Sequence, residues 1–318
     1  MLTRRHCLAI TILTASAGKA HAAWPDRPVR LIVPFPPGSG TDVLARFIAE
    51  PFAKQLGQAV VIDNRPGGNG VVGAQAGATA APNGLTLTML GTSAAAINPH
   101  MIRRLPYDPL KDFAPIGGVA HQPYVLVIDP NRPERDLPSF LEAGRRNPNG
   151  LTFSTGNAGS FIMGHMLGRA AGIKVTPVPY RGGAEAAADV SAGRIDFNLA
   201  DFHHAMSQDA GGRLRAIAVT TGDAFPLAPL VPPLSTALPG FDANVWFSIA
   251  VPAATPPEII TSAGRALQAT LADAELGRRL MEMGLVPMPK TPADMKRHME
   301  EQLVIWGQRV AAAGIEPQ

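Results

Sequence analysis

A glycine- and proline-rich segment at residues 34–42 (PFPPGSGTD) has the composition of an anion-binding loop. It follows a predicted strand at residues 29–33 and precedes a predicted helix that begins at Thr41 or Asp42. Ligands of open α/β sheets bind beyond the carboxyl ends of the strands, and the first N–H groups of a helix attract an anion without any lysine. The hydroxyl groups of Ser39 and Thr41 can add donors. The segment thus predicts an anion site; an ordinary turn with Thr41 or Asp42 as the helix cap is the alternative.

A second loop of the same kind occupies residues 154–160 (STGNAGS), after a predicted strand at residues 151–154 and before a predicted helix. One such loop is weak evidence for a binding site. Two of them in different halves of the chain indicate two lobes that each offer helix N–H groups to one cleft. Such a cleft suits a carboxylate that is held by main-chain donors from both sides.

Asp201 follows another predicted strand, at residues 195–199, where the sheet would open onto the same cleft. Its carboxylate can accept a hydrogen bond from a ligand hydroxyl or amine, or it can cap the next helix. The sequence contains no G-x-S-x-G, H-E-x-x-H or C-x-x-C motif. The adjacent His203 and His204 would point about 100° apart on a helix, which does not suit a shared metal. We therefore predict a binding protein and not an enzyme, with no cofactor and no metal.

Residues 68–73 (GNGVVG) fit the dinucleotide-binding pattern G-x-G-x-x-G. Such a site requires an acidic residue about 20 positions later to bind the ribose. No Asp or Glu lies between Asn64 and Tyr107, so the pattern does not predict nucleotide binding.

The first 22 residues have the composition of a cleaved secretory signal peptide. Arg4 and Arg5 precede a short apolar run at residues 8–17, and Ala20 and Ala22 provide the small residues of a cleavage site. The protein is therefore predicted to be exported to the periplasm by the Sec route, with the twin-arginine route as the alternative.

Removal of this segment changes the charge balance of the chain. The whole sequence has 28 Lys+Arg and 25 Asp+Glu, and the segment contains three basic residues and no acidic one, which leaves 25 of each. A net charge of zero gives no reason to expect a nucleic acid partner. The single cysteine, Cys7, is also removed, which excludes disulfides and thiolate metal sites. No later stretch is apolar enough for stable membrane insertion.

The rest of the chain alternates strands and helices, which predicts an α/β fold with parallel βαβ units. A proline-rich stretch at residues 226–239 is predicted to be a connector. The predicted strands cover residues 29–33, 59–62, 85–90, 124–128, 151–154, 175–180, 195–199, 214–220 and 245–251. The predicted helices cover residues 41–56, 73–80, 137–147, 257–272 and 292–313.

Several stretches resemble the substrate-binding proteins of tripartite tricarboxylate transporters, a TctC-like family often called Bug receptors. They follow the family order over essentially all of the mature chain. These stretches are residues 24–35 (WPDRPVRLIVPF), 40–42 (GTD), 64–67 (NRPG), 81–84 (APNG), 97–99 (INP), 105–109 (LPYDP), 111–116 (KDFAPI), 178–182 (VPYRG), 212–220 (GRLRAIAVT) and 313–315 (AGI).

The resemblance implies an α/β fold of the periplasmic binding protein type II, with two doubly wound lobes joined by a hinge. Residues 23–122 and 226–318 are expected to form lobe 1, and residues 123–225 to form lobe 2. The family's two binding loops map onto residues 35–42 and 154–160, and the same mapping places residues 92–93, Asn98 and residues 180–182 beside the cleft. The predicted ligand-binding set is Phe35, Pro36, Gly38, Ser39, Gly40, Thr41, Asp42, Ser93, Asn98, Ser154, Thr155, Gly156, Asn157, Gly159, Ser160, Tyr180, Arg181 and Asp201.

The chain departs from the family pattern near Asp201. Many members have Phe-Asp-Asn where this sequence has Leu199-Ala200-Asp201. Replacement of an amide by a carboxylate favours a ligand with an amine or hydroxyl at that end. The first loop also carries extra prolines, which stiffen it.

The resemblance implies a monomeric periplasmic receptor that binds a di- or tricarboxylate, an aromatic acid or an acidic amino acid. It would deliver this ligand to the membrane permease subunits of a tripartite tricarboxylate transporter. The alternatives are a ligand-presenting component of a two-component sensor system and an exported enzyme on the same fold.

Overall fold

The computed structural model describes residues 24–180 and 183–318. The predicted signal peptide at residues 1–22 lies outside the described residues. Within them the chain forms ten strands, ten α-helices and a π-helical turn at Ser93–Ile97. The strands are β1 (Val29–Val33), β2 (Val60–Asn64), β3 (Thr86–Gly91), β4 (Phe113–Ile128), β5 (Leu151–Thr155), β6 (Val175–Pro179), β7 (Phe197–Asp201), β8 (Arg215–Val219), β9 (Asn244–Pro252) and β10 (Val286–Pro287). The helices are α1 (Gly40–Leu56), α2 (Val71–Ala78), α3 (Asn98–Met101), α4 (Leu137–Arg146), α5 (Ala158–Ala171), α6 (Gly183–Ser191), α7 (Phe202–Ala210), α8 (Pro257–Leu271), α9 (Ala274–Glu282) and α10 (Pro292–Ala312).

The strands form two half-sheets that share β4. The order is β2-β1-β3-β9-β4-β10 in the first half-sheet and β6-β5-β7-β4-β8 in the second. In each, three parallel strands are followed by antiparallel ones, and helices pack against the sheet. We call the parts built on these half-sheets lobe 1 and lobe 2. This arrangement confirms the predicted α/β fold of two doubly wound lobes.

The chain crosses between the lobes twice, and Thr220 joins the two crossings. The first crossing is β4 itself, whose residues up to Pro123 pair with β9 and whose residues from Tyr124 pair with β7 and β8. The second is the return from β8 to β9. The hydroxyl of the buried Thr220 accepts a hydrogen bond from the N–H of Tyr124 (2.9 Å) and donates one to the carbonyl of Ala243 (2.6 Å). The crossings are therefore tied together at one point.

The proline-rich connector packs against lobe 2 at its start. Ala228 and Val231 belong to the apolar cluster that contains Val125 and Val127 of β4. The boundaries predicted for the lobes, at residues 122/123 and 225/226, stay a prediction. No helix in the described parts of the chain is long and apolar enough to span a membrane.

Several elements differ from those predicted. The first part of β4 was missed because it contains Pro115 and Pro123, which are unfavourable in central strands. Its pairing with β9 includes two register shifts, which accommodate this irregular sequence. Helices α3, α6 and α9 were also missed, and α7 was expected only as the helix after Asp201, without bounds. Helix α7 has a weak apolar pattern, since Phe202 and Ala205 are its buried residues.

Candidate ligand-binding cleft

A cavity of about 510 Å³ lies between the two lobes. Four elements point their N-terminal ends at it: α1, the π-helical turn after β3, α5 and α7. Its size is typical of a small-molecule site. Of the predicted ligand-binding residues, those that line it are Phe35, Pro36, Gly38, Ser39, Gly40, Thr41, Ser93, Gly156, Asn157, Ser160 and Asp201.

The first loop ends at the cap of α1. Ser39 is the N-cap residue, and its hydroxyl accepts a hydrogen bond from the N–H of Asp42 (3.3 Å). The expectation that Thr41 or Asp42 caps the helix is therefore wrong, because the helix already begins at Gly40. The N–H groups of Gly40 and Thr41 have no hydrogen-bond partner among the described residues. Two main-chain donors at the positive end of α1 are thus available beside the cavity.

Asp42 holds this loop in place and does not line the cavity. Its buried carboxylate accepts hydrogen bonds from the N–H of Gly38 (2.9 Å), from Arg46 (2.9 Å) and from Asn64 (2.8 Å). Burial on its own would raise the pKa of Asp42, but these three donors outweigh it, so the pKa lies below its ordinary value. Asp42 is therefore ionised, and its carboxylate stabilises the loop from the side away from the cavity.

The second loop ends at the cap of α5. The amide oxygen of Asn157 accepts hydrogen bonds from the N–H of Ser160 (2.9 Å) and from the hydroxyl of Tyr124 (2.9 Å). The hydroxyl of Ser160 is bonded to the carbonyl of Asn157 (3.0 Å). The N–H groups of Ala158 and Gly159 have no partner among the residues that the structure describes. A second pair of main-chain donors is available at the start of α5.

Tyr124 connects the interlobe crossing to the second loop. Burial raises the pKa of Tyr124 well above its ordinary value, and the negative charge of Asp201 raises it further. The hydroxyl therefore stays protonated, which fixes it as the donor to Asn157. The cap of α5 is therefore held in position by a residue of β4, the strand that crosses between the lobes.

Asp201 ends β7 and lies at the N-cap position of α7, but its side chain makes no capping hydrogen bond. Its Oδ1 atom accepts a hydrogen bond from Gln122 (3.0 Å). Its Oδ2 atom approaches Gly40 of lobe 1, where an added Cβ would lie 3.0 Å away. Burial raises the pKa of Asp201 to about 6. Of the two alternatives for this residue, the geometry disfavours helix capping and turns the carboxylate towards the cleft.

Asn98, Ser154 and Thr155 lie outside the cavity lining. Asn98 is buried and donates to the carbonyl of Asn69 (3.1 Å). Ser154 is buried at the end of β5, and the hydroxyl of Thr155 is bonded to the carbonyl of Asn157 (3.1 Å). Of these three, Thr155 bonds directly to the second loop.

Three further predicted residues are also not among those that line the cavity. A Cβ at Gly159 would lie 3.2 Å from the hydroxyl oxygen of Tyr124, so the absence of a side chain there permits close packing. The hydroxyl of Tyr180 donates to Asp189 on α6, away from the cavity. Arg181 lies outside the described residues. Ligand contact by any member of the set stays a prediction.

Sequence reasoning missed several residues that line the cavity. The main polar ones are Gln122 and Tyr124 on β4, together with Asn198, His203, His204 and Ser207. The part of the strand that includes Gln122 was not predicted, because Pro123 follows it and proline is unfavourable in a central strand. The signal for His203 and His204 was their position directly after Asp201. No group of three or more His, Cys, Asp or Glu in residues 24–180 and 183–318 is arranged to bind a metal ion.

Comparisons with known proteins agree with this geometry. Residues 44–315 match the family described as "Tripartite tricarboxylate transporter family receptor". The solved structure of Rpa4515 of R. palustris with adipate is 31% identical, with a TM-score of 0.89 over 93% of this chain and 100% of that chain. The periplasmic binding protein BugD is 27% identical, with a TM-score of 0.87 and coverage of 93% and 100%. MatC from Rhodopseudomonas palustris with bound malate is 27% identical, with a TM-score of 0.84 and coverage of 90% and 100%.

These similarities confirm the predicted periplasmic binding protein fold. The family and its structural neighbours are binding proteins rather than enzymes. The family match covers far more than half of the sequence. The chain therefore belongs to the tripartite tricarboxylate transporter receptor family, as a Bug/TctC-like solute-binding receptor.

Proposed function

We propose that this protein is a periplasmic receptor that binds a small carboxylate between its lobes and delivers it to a tripartite tricarboxylate transporter permease. The observation that carries the proposal is the pairing of two helix N-termini at one cavity. The unpaired N–H groups of Gly40 and Thr41 belong to lobe 1, where both residues line the cavity, and those of Ala158 and Gly159 belong to lobe 2, between the lining residues Asn157 and Ser160. A carboxylate bound by both pairs holds the lobes together.

The binding mechanism follows from the positions of these donors. In an open form each helix end is solvated, and the carboxylate binds to one of them first. Closure then brings the second helix end to the ligand and removes water, which strengthens each hydrogen bond. The closed form differs from the open one in the relative position of the lobes, which gives a permease a means of recognising the liganded state.

The relatives support the ligand class and the location. Solved neighbours contain adipate and malate, both dicarboxylates, and BugD is described as a periplasmic binding protein. The predicted signal peptide at residues 1–22 is consistent with export. Membership of this family supports delivery to a permease.

The experiment is a thermal-shift screen of the mature chain, residues 23–318, with dicarboxylates, citrate, amino acids, aromatic acids and neutral sugars. A ligand at 100 times its Kd stabilises the folded state by about 2.7 kcal/mol. A shift with a carboxylate and none with sugars is expected. A shift with sugars alone would refute the carboxylate site.

A proline variant tests the main-chain donors directly. Ala158 is the first residue of α5, where proline removes an N–H group and keeps helical geometry. We expect Ala158→Pro to raise the Kd of the best carboxylate about tenfold, since a charge-assisted hydrogen bond is lost. Ala274→Pro at the first residue of α9 is the matched control and should leave the Kd unchanged. Circular dichroism checks that both variants are folded.

A further inference from the structure

We infer that Asp201 selects a ligand that carries a protonated amine in addition to its carboxylate, so that the cleft binds amino acids in preference to the corresponding simple dicarboxylates. This inference rests on the proposed function and specifies the substrate class of the same cleft. It depends on the position of one carboxylate, on its incomplete hydrogen bonding and on the charges around it.

The first step is the hydrogen bonding of Asp201. The amide of Gln122 donates to Oδ1, whereas Oδ2 has no donor among the described residues. The N-cap position would allow the carboxylate to bond to the first N–H groups of α7, and it makes no such bond. One carboxylate oxygen is thus left available at the wall of the cavity.

The second step is the charge of the cavity. No Lys or Arg occurs among its lining residues in the part of the chain that the structure describes. His203 and His204 line it, and burial lowers the pKa of His204, which favours its neutral form. Within the described residues, Asp201 is therefore a negative group with no Lys or Arg side chain opposite it.

The third step is the effect of ligand binding. A closed cleft that holds an anionic ligand would place two negative charges in a site with little water, which is unfavourable. An ammonium group on the ligand removes this penalty, because it donates to Oδ2 and neutralises Asp201. A ligand hydroxyl also donates a hydrogen bond but leaves the charge uncompensated. The charge balance thus favours an amine over a hydroxyl.

The test is isothermal titration calorimetry with ligands that differ at one group. Aspartate, malate and succinate carry an amine, a hydroxyl and a hydrogen at the same carbon, and glutamate and glutarate form a second pair. We expect the mature protein to bind each amino acid about tenfold or more tightly than its dicarboxylate, with malate close to succinate. Asp201→Asn should abolish this preference by weakening amino acid binding and strengthening dicarboxylate binding.

The control is Asp223→Asn, which changes an exposed aspartate outside the cavity and should keep the wild-type preference. Asp201→Ser provides a second neutral variant if Asp201→Asn is poorly folded. An equal preference in wild type and both Asp201 variants would overturn the inference, as would malate bound as tightly as aspartate. Binding of succinate with no preference for aspartate overturns the role of Asp201 and leaves the proposed function intact. Absence of binding by every carboxylate refutes both.

Discussion

The carboxylate of Asp201 in lobe 2 lies directly against the backbone of Gly40 in lobe 1. A Cβ atom at position 40 would stand 3.0 Å from Oδ2 and 3.1 Å from Cγ of Asp201. Such distances are too short for a relaxed contact with a carboxylate. The two residues belong to different half-sheets. The start of α1 therefore meets the end of β7, and the cleft is closed at this point.

The Gly40→Ala variant tests this contact. The methyl group must displace Asp201 or keep the lobes slightly apart, so we expect ligand affinity to fall about tenfold. Stability without ligand should change by under about 1 kcal/mol, since Gly40 is the first residue of α1 and the side chain of Asp201 has to move by only a few tenths of an ångström. Titration calorimetry and the melting temperature measure the two effects.

A matched control for this variant is Gly277→Ala in α9. A Cβ at Gly277 meets no atom within 4 Å, so the substitution adds the same methyl group in open space. Its ligand affinity should equal that of the wild type. Wild-type affinity in Gly40→Ala as well would show that the closed cleft does not bring Asp201 against Gly40.

Ligand affinity should depend on pH through Asp201, whose pKa burial raises to about 6. An ammonium group pairs with the ionised carboxylate only, so aspartate binding should weaken about tenfold between pH 7 and pH 5. Tyr124 stays protonated over this range, and the pKa of His204 is lowered by burial. Exposed His203 is present in both wild type and Asp201→Asn, so the difference between their profiles isolates Asp201.

The unliganded protein should respond to pH with the opposite sign. The folded-state pKa of Asp201 lies above the value of about 3.9 for an unfolded chain. Ionisation therefore costs stability, and the contribution of Asp201 to the free energy of unfolding falls as pH rises through about 6. Denaturant titrations at several pH values measure it. Identical pH profiles for wild type and Asp201→Asn would contradict the raised pKa.

Thr220 should contribute strongly to stability because it joins the two interlobe crossings. In Thr220→Val the N–H of Tyr124 and the carbonyl of Ala243 lose their buried partner, and we expect a loss of about 2–4 kcal/mol in the free energy of unfolding. The matched control is Thr261→Val, whose exposed hydroxyl bonds to the carbonyl of Pro257 and whose loss should cost under about 0.5 kcal/mol. Equal stability of the two variants would mean that the bonds of Thr220 are replaced by water.

The two loops of the cleft could be predicted because the residues that form each of them lie close together in the sequence. The β-branched residues of β1, the glycines after them and the start of α1 lie within one short stretch of sequence. The same holds for β5 and α5, so both loops were found without knowledge of the rest of the chain. The alternation of elements in turn predicted the α/β fold.

The rest of the site depends on contacts that are distant in sequence. Gln122 reaches Asp201, and Tyr124 reaches Asn157, only because β4 pairs with β7. The composition of the loop likewise could not distinguish the role of Asp42, which stabilises the loop from the side away from the cavity, from that of Ser39, which lines the cavity. The sequence pattern gives the identity of such residues but not the direction in which their side chains point.

The shared strand β4 also determines the order in which the protein can fold. All strands of lobe 2 are present once the chain has reached Val219, whereas lobe 1 still lacks β9. Because β9 lies between β3 and β4, the first half-sheet stays in two separate pieces until residues 244–252 arrive. We therefore expect lobe 2 to acquire protection from hydrogen exchange first while the chain is being synthesised, and the sheet of lobe 1 to be joined later, by insertion of a central strand.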